Sequence, residues 1–203
     1  MDEAALIQAA QSGDVNAYNT LVLRYQEQAF NVAYRIMGDS DSAADATQEA
    51  FISAFRAIHR FRGGSFRAWL LRIVTNACYD ELRRRKRRPS ASLEALYVED
   101  ASPEPQGSLA SHTEHPENYV QRMELQAAIM NCLQALSEDQ RVIAVLSDIE
   151  GFSYEEIARI VGVALGTVKS RLSRARSSLR DCLQGFGELL PAEYRSKREG
   201  KWG

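Results

Sequence analysis

The stretch GFSYEEIARIVGVALGTVKSRLSRARSSLR, residues 151–180, decides the fold of the second half of the chain. Ser153 followed by Glu156 is a capping-box signature, which marks the start of a short helix, and Gly162 then turns the chain. A second helix follows, because apolar residues recur at intervals of three and four, namely Val168, Leu172, Ala175 and Leu179. A short capped helix, a turn with glycine and a second helix are the parts of a helix-turn-helix.

The outward face of the second helix carries the groups expected of a DNA-reading surface. Arginine and lysine bind guanine edges or phosphates, whereas small serine and threonine side chains let a helix lie deep in the major groove. The residues predicted to contact DNA here are Thr167, Lys169, Ser170, Arg171, Ser173, Arg174 and Arg176. Taken alone, the same pattern also fits a helical hairpin with a solvated basic face.

The first half of the chain has a helical period throughout, and no segment shows strand alternation. A long helix is predicted between Asp14, which can cap it, and Gly38, which can end it. A second helix around residues 46–58 and a third helix follow, separated by a loop at Gly63 and Gly64. The apolar stripes predicted for these three helices are, in order, Tyr18, Leu21, Val22, Tyr25, Ala29, Val32, Ala33 and Ile36; Phe51, Ala54, Phe55 and Ile58; and Phe66, Trp69, Leu70, Ile73, Val74 and Ala77.

Residues 89–117 differ in composition, being rich in proline and serine, with six acidic residues and no lysine or arginine. A segment of this kind cannot bury enough apolar surface to offset the entropy of ordering, so we predict a flexible acidic linker. The predicted fold is therefore all-α, with two small helical domains, the second containing the helix-turn-helix. The predicted boundaries are residues 1–88 for the first domain, 89–117 for the linker, 118–185 for the second domain and 186–203 for a basic tail.

Two further helices are predicted at the start of the second domain. The second of them begins at a capping-box signature, Ser137 with Gln140, and ends at Gly151. The apolar stripes predicted to be buried are Val120, Met123, Ala127, Met130 and Leu133 in the first helix, and Val142, Ile143, Leu146 and Ile149 in the second.

Charge is segregated along the chain, although the net charge is only −2. Residues 1–55 contain two basic and eight acidic residues, whereas residues 56–88 contain eleven basic and two acidic ones. Residues 169–180 contain five basic residues and no acid. Two basic blocks on a nearly neutral chain indicate two separate contacts with a polyanion. The alternative is a pair of solvated helix faces.

The remaining composition indicates a globular protein of a reducing compartment. No run approaches the roughly 20 apolar residues needed to span a bilayer, and the acidic residues 2 and 3 do not begin a secretory leader. Cys78, Cys132 and Cys182 are odd in number and far apart in the sequence. We therefore expect no disulfide framework and a reducing cytoplasm.

Two motifs of the second domain, GFSYEEIA at residues 151–158 and GTVKSRLSRAR at residues 166–176, resemble the C-terminal domain of extracytoplasmic-function (ECF) sigma factors. The resemblance implies that this domain binds the minus-thirty-five promoter element and the flap of the polymerase β subunit. Ala164 departs from the family pattern, which often has proline at that turn.

The first domain resembles the same family independently. The sequence DATQEAF, residues 45–51, is similar to the polymerase-binding helix, which implies that Asp45, Gln48 and Glu49 meet the clamp helices of the β′ subunit. Their spacing of i, i+3 and i+4 places them on one helix face. Without the resemblance, a solvated face would be the simpler interpretation, and Phe51 is assigned to the core.

FRGGSFRAWL and RIVTN, residues 61–70 and 72–76, resemble the minus-ten element reader of these proteins. The resemblance implies that a flipped base of the melted strand is held by Phe61, Arg62, Gly63, Gly64, Ser65, Arg72 and Asn76. Trp69 is assigned first to the core and second to a stacking role. Duplex phosphates would be bound by Arg83, Arg84, Arg85, Lys86, Arg87 and Arg88.

Both motif sets occur in family order, so the resemblance implies a sigma subunit that directs promoter-specific initiation. Its partners would be bacterial core RNA polymerase through the β and β′ subunits, promoter DNA and a cognate anti-sigma factor, without a small-molecule substrate. The location would be cytoplasmic, and the alternative is that an anti-sigma factor holds the protein at the inner membrane.

Other classes of function have less support in the sequence. The three histidines are scattered, and only His112 and His115 have a spacing, i and i+3, through which they could bind one metal ion. We therefore predict no enzyme, no cofactor and no metal. The remaining alternative is a helix-turn-helix regulator that is not a polymerase subunit, which would leave the Asp45 face and the Gly63 loop without a purpose.

Overall fold

The computed structural model describes residues 2–87 and 116–190, and within these two ranges the chain is helical and has no strand. The first range contains α1 (Glu3–Gln11), α2 (Val15–Met37), α3 (Ser40–Ala57), a 3-10 turn (Ile58–Arg60) and α4 (Phe66–Arg87). The second contains α5 (Pro116–Gln134), α6 (Glu138–Ala144), a π-helical turn (Val145–Ile149), α7 (Tyr154–Val161) and α8 (Leu165–Gln184). The predicted all-α fold is confirmed. Most of the predicted linker and the end of the predicted tail lie outside the described residues.

Helix α2 is fixed at both ends by the residues that the sequence indicates. The Asp14 carboxylate accepts hydrogen bonds from the backbone N–H groups of Asn16 and Ala17, which satisfies two donors that a helix start leaves unpaired. At the other end, Gly38 has φ 87° and closes the helix in the left-handed region, which favours glycine.

Alanine determines how the first domain packs. Helix α3 buries Ala43, Ala46, Ala50 and Ala54, and these small side chains at three- and four-residue intervals let α3 lie close to α2 and α4. The predicted burial of Phe55 is wrong, since its ring is 42% exposed and packs on the ring of Tyr18 with centroids 4.9 Å apart. The alanine face takes the inward position, so the larger ring lies at the edge.

The second domain contains the predicted helix-turn-helix in α7 and α8. Ser153 and Glu156 form the capping box, and Gly162 has φ 70° at the end of α7. In α8 the predicted inward stripe is confirmed: Val168, Leu172 and Ala175 are buried, and Leu179 packs partly buried against the core.

The helices before α7 differ from the prediction in three details. Ser137 lies at the start of α6 but makes no side-chain capping bond. In α5, Leu133 is buried as predicted, but Val120 and Ala127 are exposed, and Ala128 and Cys132 face inward instead. Ile149 is 42% exposed, because the π-helical turn after α6 holds more residues per turn and shifts the face on which later side chains lie.

The expectation of no disulfide is also wrong. Cys132 in the last turn of α5 and Cys182 in the last turn of α8 form a disulfide, with Cα atoms 5.7 Å apart and a sequence separation of 50. Helix α5 packs against α8, so two cysteines that are distant in the sequence meet. Cys78 remains a free thiol buried in α4.

The two domains are joined by a buried arginine. Arg141 of α6 is 8% exposed, and its guanidinium donates hydrogen bonds to the backbone oxygens of Ile36, Leu133, Gln134 and Leu136 at 2.6–3.1 Å, and to the Gln134 side-chain oxygen. Ile36 belongs to the first domain and the other residues to the second. These carbonyls lie at the C-terminal ends of α2 and α5, where helix dipoles favour a positive charge.

Gln134 makes a second connection beside Arg141. Its side-chain amide donates to the Arg35 carbonyl oxygen at 3.1 Å. The Gln134 amide lies where a Cβ at position 38 would be, since that atom would come within 2.6 Å of Cδ of Gln134, so a larger residue would push the amide aside. The residue that ends α2 therefore also makes room for the second domain.

Three more residues of helix α4 contact the second domain, namely Arg67, Tyr79 and Lys86. Arg67 binds the Glu150 carboxylate at 2.7 Å and lies over the ring of Phe152, with 4.5 Å from the guanidinium carbon to the centroid. The Tyr79 hydroxyl donates to Asp139 at 3.3 Å, and Lys86 pairs with Glu138 at 2.9 Å. Together with the Arg141 contacts, these contacts of α4 define what we call the closed arrangement.

Replacing Arg141 tests the role of the buried guanidinium. Arg141→Met should lower the free energy of unfolding by about 2–4 kcal/mol, because several buried carbonyls lose their donor. Urea unfolding followed by circular dichroism measures this change. Arg180→Met, at an exposed position of α8, is the matched control and should stay within about 0.5 kcal/mol of the unsubstituted chain. Equal effects of both substitutions would contradict the assignment.

Candidate nucleic-acid interface

The exposed face of α8 is narrower than the sequence predicts. Lys169, Ser170, Ser173 and Arg174 are exposed along one side of the helix. Thr167 is half-buried at the helix start, where its carbonyl accepts a hydrogen bond from the Ser170 hydroxyl. Among the described residues, Lys169 and Arg174 have no carboxylate partner. This side of α8 therefore presents two cations and two small hydroxyl side chains to a ligand.

The other two predicted cations of α8 are engaged by acids of the same domain. Arg171 pairs with Asp139 at 2.8 Å. Arg176 donates two hydrogen bonds to the Asp148 carboxylate, at 2.6 Å and 3.1 Å, and these bonds raise the pKa of Arg176. Both arginines connect α8 to the segment before α7, and Arg176 itself remains exposed.

The loop between the 3-10 turn and α4 stands on an aromatic cluster. Gly63 and Gly64 have φ 90° and 87°, a backbone conformation that other residues rarely adopt. Phe61 packs against Phe66 and Trp69, with centroids 5.6 Å and 5.4 Å apart, and Trp69 packs against the core. The parts of the loop open to a ligand are the exposed residues 62–65.

Four residues of α4 predicted to contact DNA, two at the minus-ten element and two at phosphates, form one line. Arg72, Asn76, Arg83 and Arg87 are all exposed, and their spacings of four, seven and four residues place them on one helix face. Asn76 lies ten residues after Phe66, or about 15 Å along the axis. The loop and Asn76 are therefore not neighbours, and one ligand that meets both must extend along α4.

The basic run at the end of α4 is already paired with acids. Arg83 pairs with Asp80 at 3.4 Å, Arg84 with Glu81 at 3.1 Å, and Arg85 with Asp39 at 2.8 Å. Burial raises the pKa of Asp39, but its hydrogen bonds with Ser42 and the Arg85 charge outweigh burial and lower it. Exposed pairs of this kind contribute little, so phosphates can replace the carboxylates. Arg88 lies outside the described residues.

The acidic face of α3 borders a groove between α3 and α4. Asp45, Gln48 and Glu49 are exposed and line this groove, which has a volume of about 650 Å³. The α4 side is lined by Asn76, among others, and the floor includes Ile52, which is 38% exposed. The predicted polymerase-binding face of α3 thus adjoins Asn76, one of the residues of α4 predicted to contact DNA.

Sequence reasoning missed Arg67, Glu150 and Arg141, which connect the domains. The only sequence signal is a charged residue directly before the apolar run of Val142 and Ile143. In the described part of the chain, no group of three or more potential ligands could hold a metal, and no helix is long and apolar enough to cross a membrane. His112 and His115 lie outside that part.

Known proteins match both domains. The family description "Sigma-70 region 2" matches residues 21–88, and "Sigma-70, region 4" matches residues 126–179. The RNA polymerase sigma-H factor of Pseudomonas aeruginosa is 39% identical over 180 residues, which are 88% of this chain and 92% of the relative. The ECF RNA polymerase sigma-E factor of Escherichia coli K12 is 36% identical over 186 residues, 91% and 95% of the two chains. The chain belongs to the ECF sigma factors.

Solved structures of sigma factors share the fold. RpoE of Bartonella quintana, in complex with the anti-sigma factor NepR, is 30% identical, with a TM-score of 0.62 over 83% of this chain and 98% of that one. CnrH, in complex with the cytosolic domain of CnrY, is 27% identical, with a TM-score of 0.61 over 89% and 96%. The predicted sigma-factor identity is confirmed, and we refer to the two domains as region 2 and region 4.

The geometry of α8 predicts different roles for its arginines. If Arg174, an exposed cation with no carboxylate partner among the described residues, contacts the DNA, Arg174→Ala should weaken binding of region 4 to upstream-element duplex by about 1–3 kcal/mol. Fluorescence anisotropy with a set of single-base variants measures the loss. Arg180→Ala, near the end of the same helix, is the control. If both variants bind every duplex equally, α8 does not read DNA through Arg174.

Proposed function

We propose that this sigma factor docks on core RNA polymerase through the acidic face of α3 and contacts promoter DNA through α4 and α8. The polymerase would carry out the chemistry, so the sigma factor needs no catalytic group of its own. The observation that supports this best is the exposed groove of Asp45, Gln48 and Glu49, which adjoins Asn76. A regulator using only its helix-turn-helix would not need this groove.

Along α4, the proposed ligand is the melted strand of the minus-ten element. A strand that passes the 62–65 loop can follow the helix to Asn76 and on to Arg83 and Arg87. The Asn76 amide offers a donor and an acceptor to the edge of an unstacked base. The arginines further along would bind phosphates, which fix the path without reading sequence.

Along α8, the proposed ligand is the duplex minus-thirty-five element. Lys169 and Arg174 would contact base edges or phosphates, while Ser170 and Ser173 allow close approach to the major groove. Asp139 and Asp148 hold Arg171 and Arg176, so these two arginines would fix the angle at which α8 enters the groove.

The closed arrangement must open for both readers to act together. Elements centred about 25 base pairs apart are separated by roughly 85 Å of B-form DNA, whereas α4 packs directly on α7 in the structure. The roughly 30 residues between α4 and α5 would reach up to about 100 Å when fully extended. The length of chain is therefore sufficient for the domains to part.

A protein partner is proposed from the structural relatives. RpoE of Bartonella quintana was solved with an anti-sigma factor and CnrH with the cytosolic domain of CnrY, so we propose a cognate anti-sigma factor and a cytoplasmic location here too. We assign residues 1–88 to the region 2 domain and 118–185 to the region 4 domain, with 89–117 as the linker and 186–203 as the tail.

Charge reversal on α3 tests polymerase docking and separates a sigma factor from a regulator. Asp45→Lys/Glu49→Lys should reduce co-purification with core polymerase at least about tenfold, because opposite charges at an interface are replaced by like charges. Glu27→Lys/Glu124→Lys makes the same change in net charge at two other exposed positions and should bind normally. Unchanged binding of the α3 variant would refute the docking site.

Removal of the Asn76 side chain tests the melting role. Asn76→Ala should leave core binding intact and slow open-complex formation, because the unstacked base loses hydrogen bonds that offset a cost of a few kcal/mol. Permanganate footprinting of unpaired thymines measures opening, and a promoter pre-melted at its downstream element should rescue the variant. A normal footprint on fully duplex promoter would mean that Asn76 plays no part in melting.

A further inference from the structure

The disulfide joins the two helix ends that matter most for the arrangement of region 4. Cys182 lies in the last turn of the DNA-reading helix α8, and Cys132 lies in the last turn of α5, directly before Leu133 and Gln134. The carbonyls of Leu133 and Gln134 accept hydrogen bonds from Arg141, which also binds Ile36 of region 2. One covalent bond therefore lies beside two of the carbonyls that hold Arg141 in place for its contact with region 2.

We propose that Cys132 and Cys182 form a reversible redox site, and that its oxidised form favours the closed arrangement. The proposal rests in part on the proposed function, which places the chain in the cytoplasm and requires the domains to part. Structural disulfides are rare in that compartment, where those that form are usually transient and sense oxidants. The two cysteines lie close enough to form a disulfide, and a peroxide is the proposed oxidant.

Exposure sets the order of the reaction. Cys132 is 1% exposed, whereas Cys182 is half-buried, so Cys182 meets a peroxide first. Its thiolate attacks one peroxide oxygen, the O–O bond breaks, and Cys182 becomes a sulfenic acid with release of water after protonation. The Cys132 sulfur then attacks the Cys182 sulfur, the S–O bond breaks, and a second water leaves as the disulfide forms. A dithiol reductant returns two electrons and two protons and restores both thiols.

Cys78 does not take part. It is fully buried in α4 of region 2 and remains a free thiol, and burial raises its pKa to about 12. A thiol reacts through its thiolate, so Cys78 should stay unoxidised and contribute one free thiol per chain in every state.

The state of the pair bears on region 2 through a short path. When the disulfide is present, the end of α5 is tied to α8, and the carbonyls beside Cys132 are held in position for Arg141. When the thiols are reduced, only non-covalent packing holds the end of α5, so separating Arg141 from Ile36 and Gln134 from Arg35 is easier. Oxidation should therefore slow opening of parts of region 2 that the disulfide does not touch.

Counting thiols tests the site. After treatment with hydrogen peroxide, removal of the oxidant, denaturation and alkylation, mass spectrometry should find one label per chain, and three after prior reduction. Cys182→Ser should carry two labels in both states, and Cys78→Ala, the control, should carry none and two. Three labels after peroxide, or a disulfide between two chains on a non-reducing gel, would overturn the proposal.

Amide hydrogen exchange tests the effect on the closed arrangement without using polymerase. In the oxidised chain, peptides from the end of α2 and the first half of α4 should exchange at least about fivefold more slowly, the lower end of usual coupling between sites. Peptides from α1, which packs within region 2, are the internal reference, and Cys182→Ser should abolish the difference. Equal exchange in both states would overturn the coupling. Failure of the reduced chain to bind core polymerase would instead count against the proposed function.

Discussion

One buried guanidinium group, that of Arg141, connects the two domains at the centre of the closed arrangement. Among the described residues Arg141 forms no direct ion pair, and its hydrogen-bond partners are backbone carbonyls at the ends of α2 and α5 together with one side-chain amide. A buried charge is tolerated only when its donors are paired, so the helix ends must lie where they do. Gly38 and Gln134 both lie where these two ends approach each other.

Acidic residues explain how a DNA-binding chain can be nearly neutral. Several cations form ion pairs with acids of the chain. Those of α4 pair with Asp39, Glu138 and Glu150, and those of α8 pair with Asp139 and Asp148. Where both partners are exposed, the ion pair contributes little free energy, so a DNA phosphate can replace the carboxylate at little cost in stability. Glu150 differs, because its side chain is only 7% exposed and also accepts from Gln28. The pair that Arg67 makes with it therefore belongs to the domain contact more than to the DNA surface.

The sequence predicts those parts of the fold that depend on local chemistry. The caps at Asp14 and Ser153, the end of α2 at Gly38 and the inward stripe of α8 follow from groups a few residues apart, and the structure contains all of them. The predicted stripes fail where the period changes, as at Ile149 after the π-helical turn, or where a smaller side chain takes the inward position, as beside Phe55. For the site, exposure of the α3 and α8 faces follows from the period, whereas the engagement of Arg171 does not.

The sequence does not predict contacts between residues that are far apart along the chain. Ile36 and Arg141, or Cys132 and Cys182, become neighbours only when α5 and α6 fold onto both α2 and α8. Each residue has an ordinary local role: a helix-stripe isoleucine, a polar residue in a short helix, two isolated thiols. Ile36, Cys132 and Cys182 share one feature: each lies in the last turn of its helix, where backbone carbonyls need partners from outside the helix. In a two-domain helical protein the unpaired ends of one domain are thus the natural acceptors for the other. A single donor group that serves both ends makes the association of the domains sensitive to anything that moves either end.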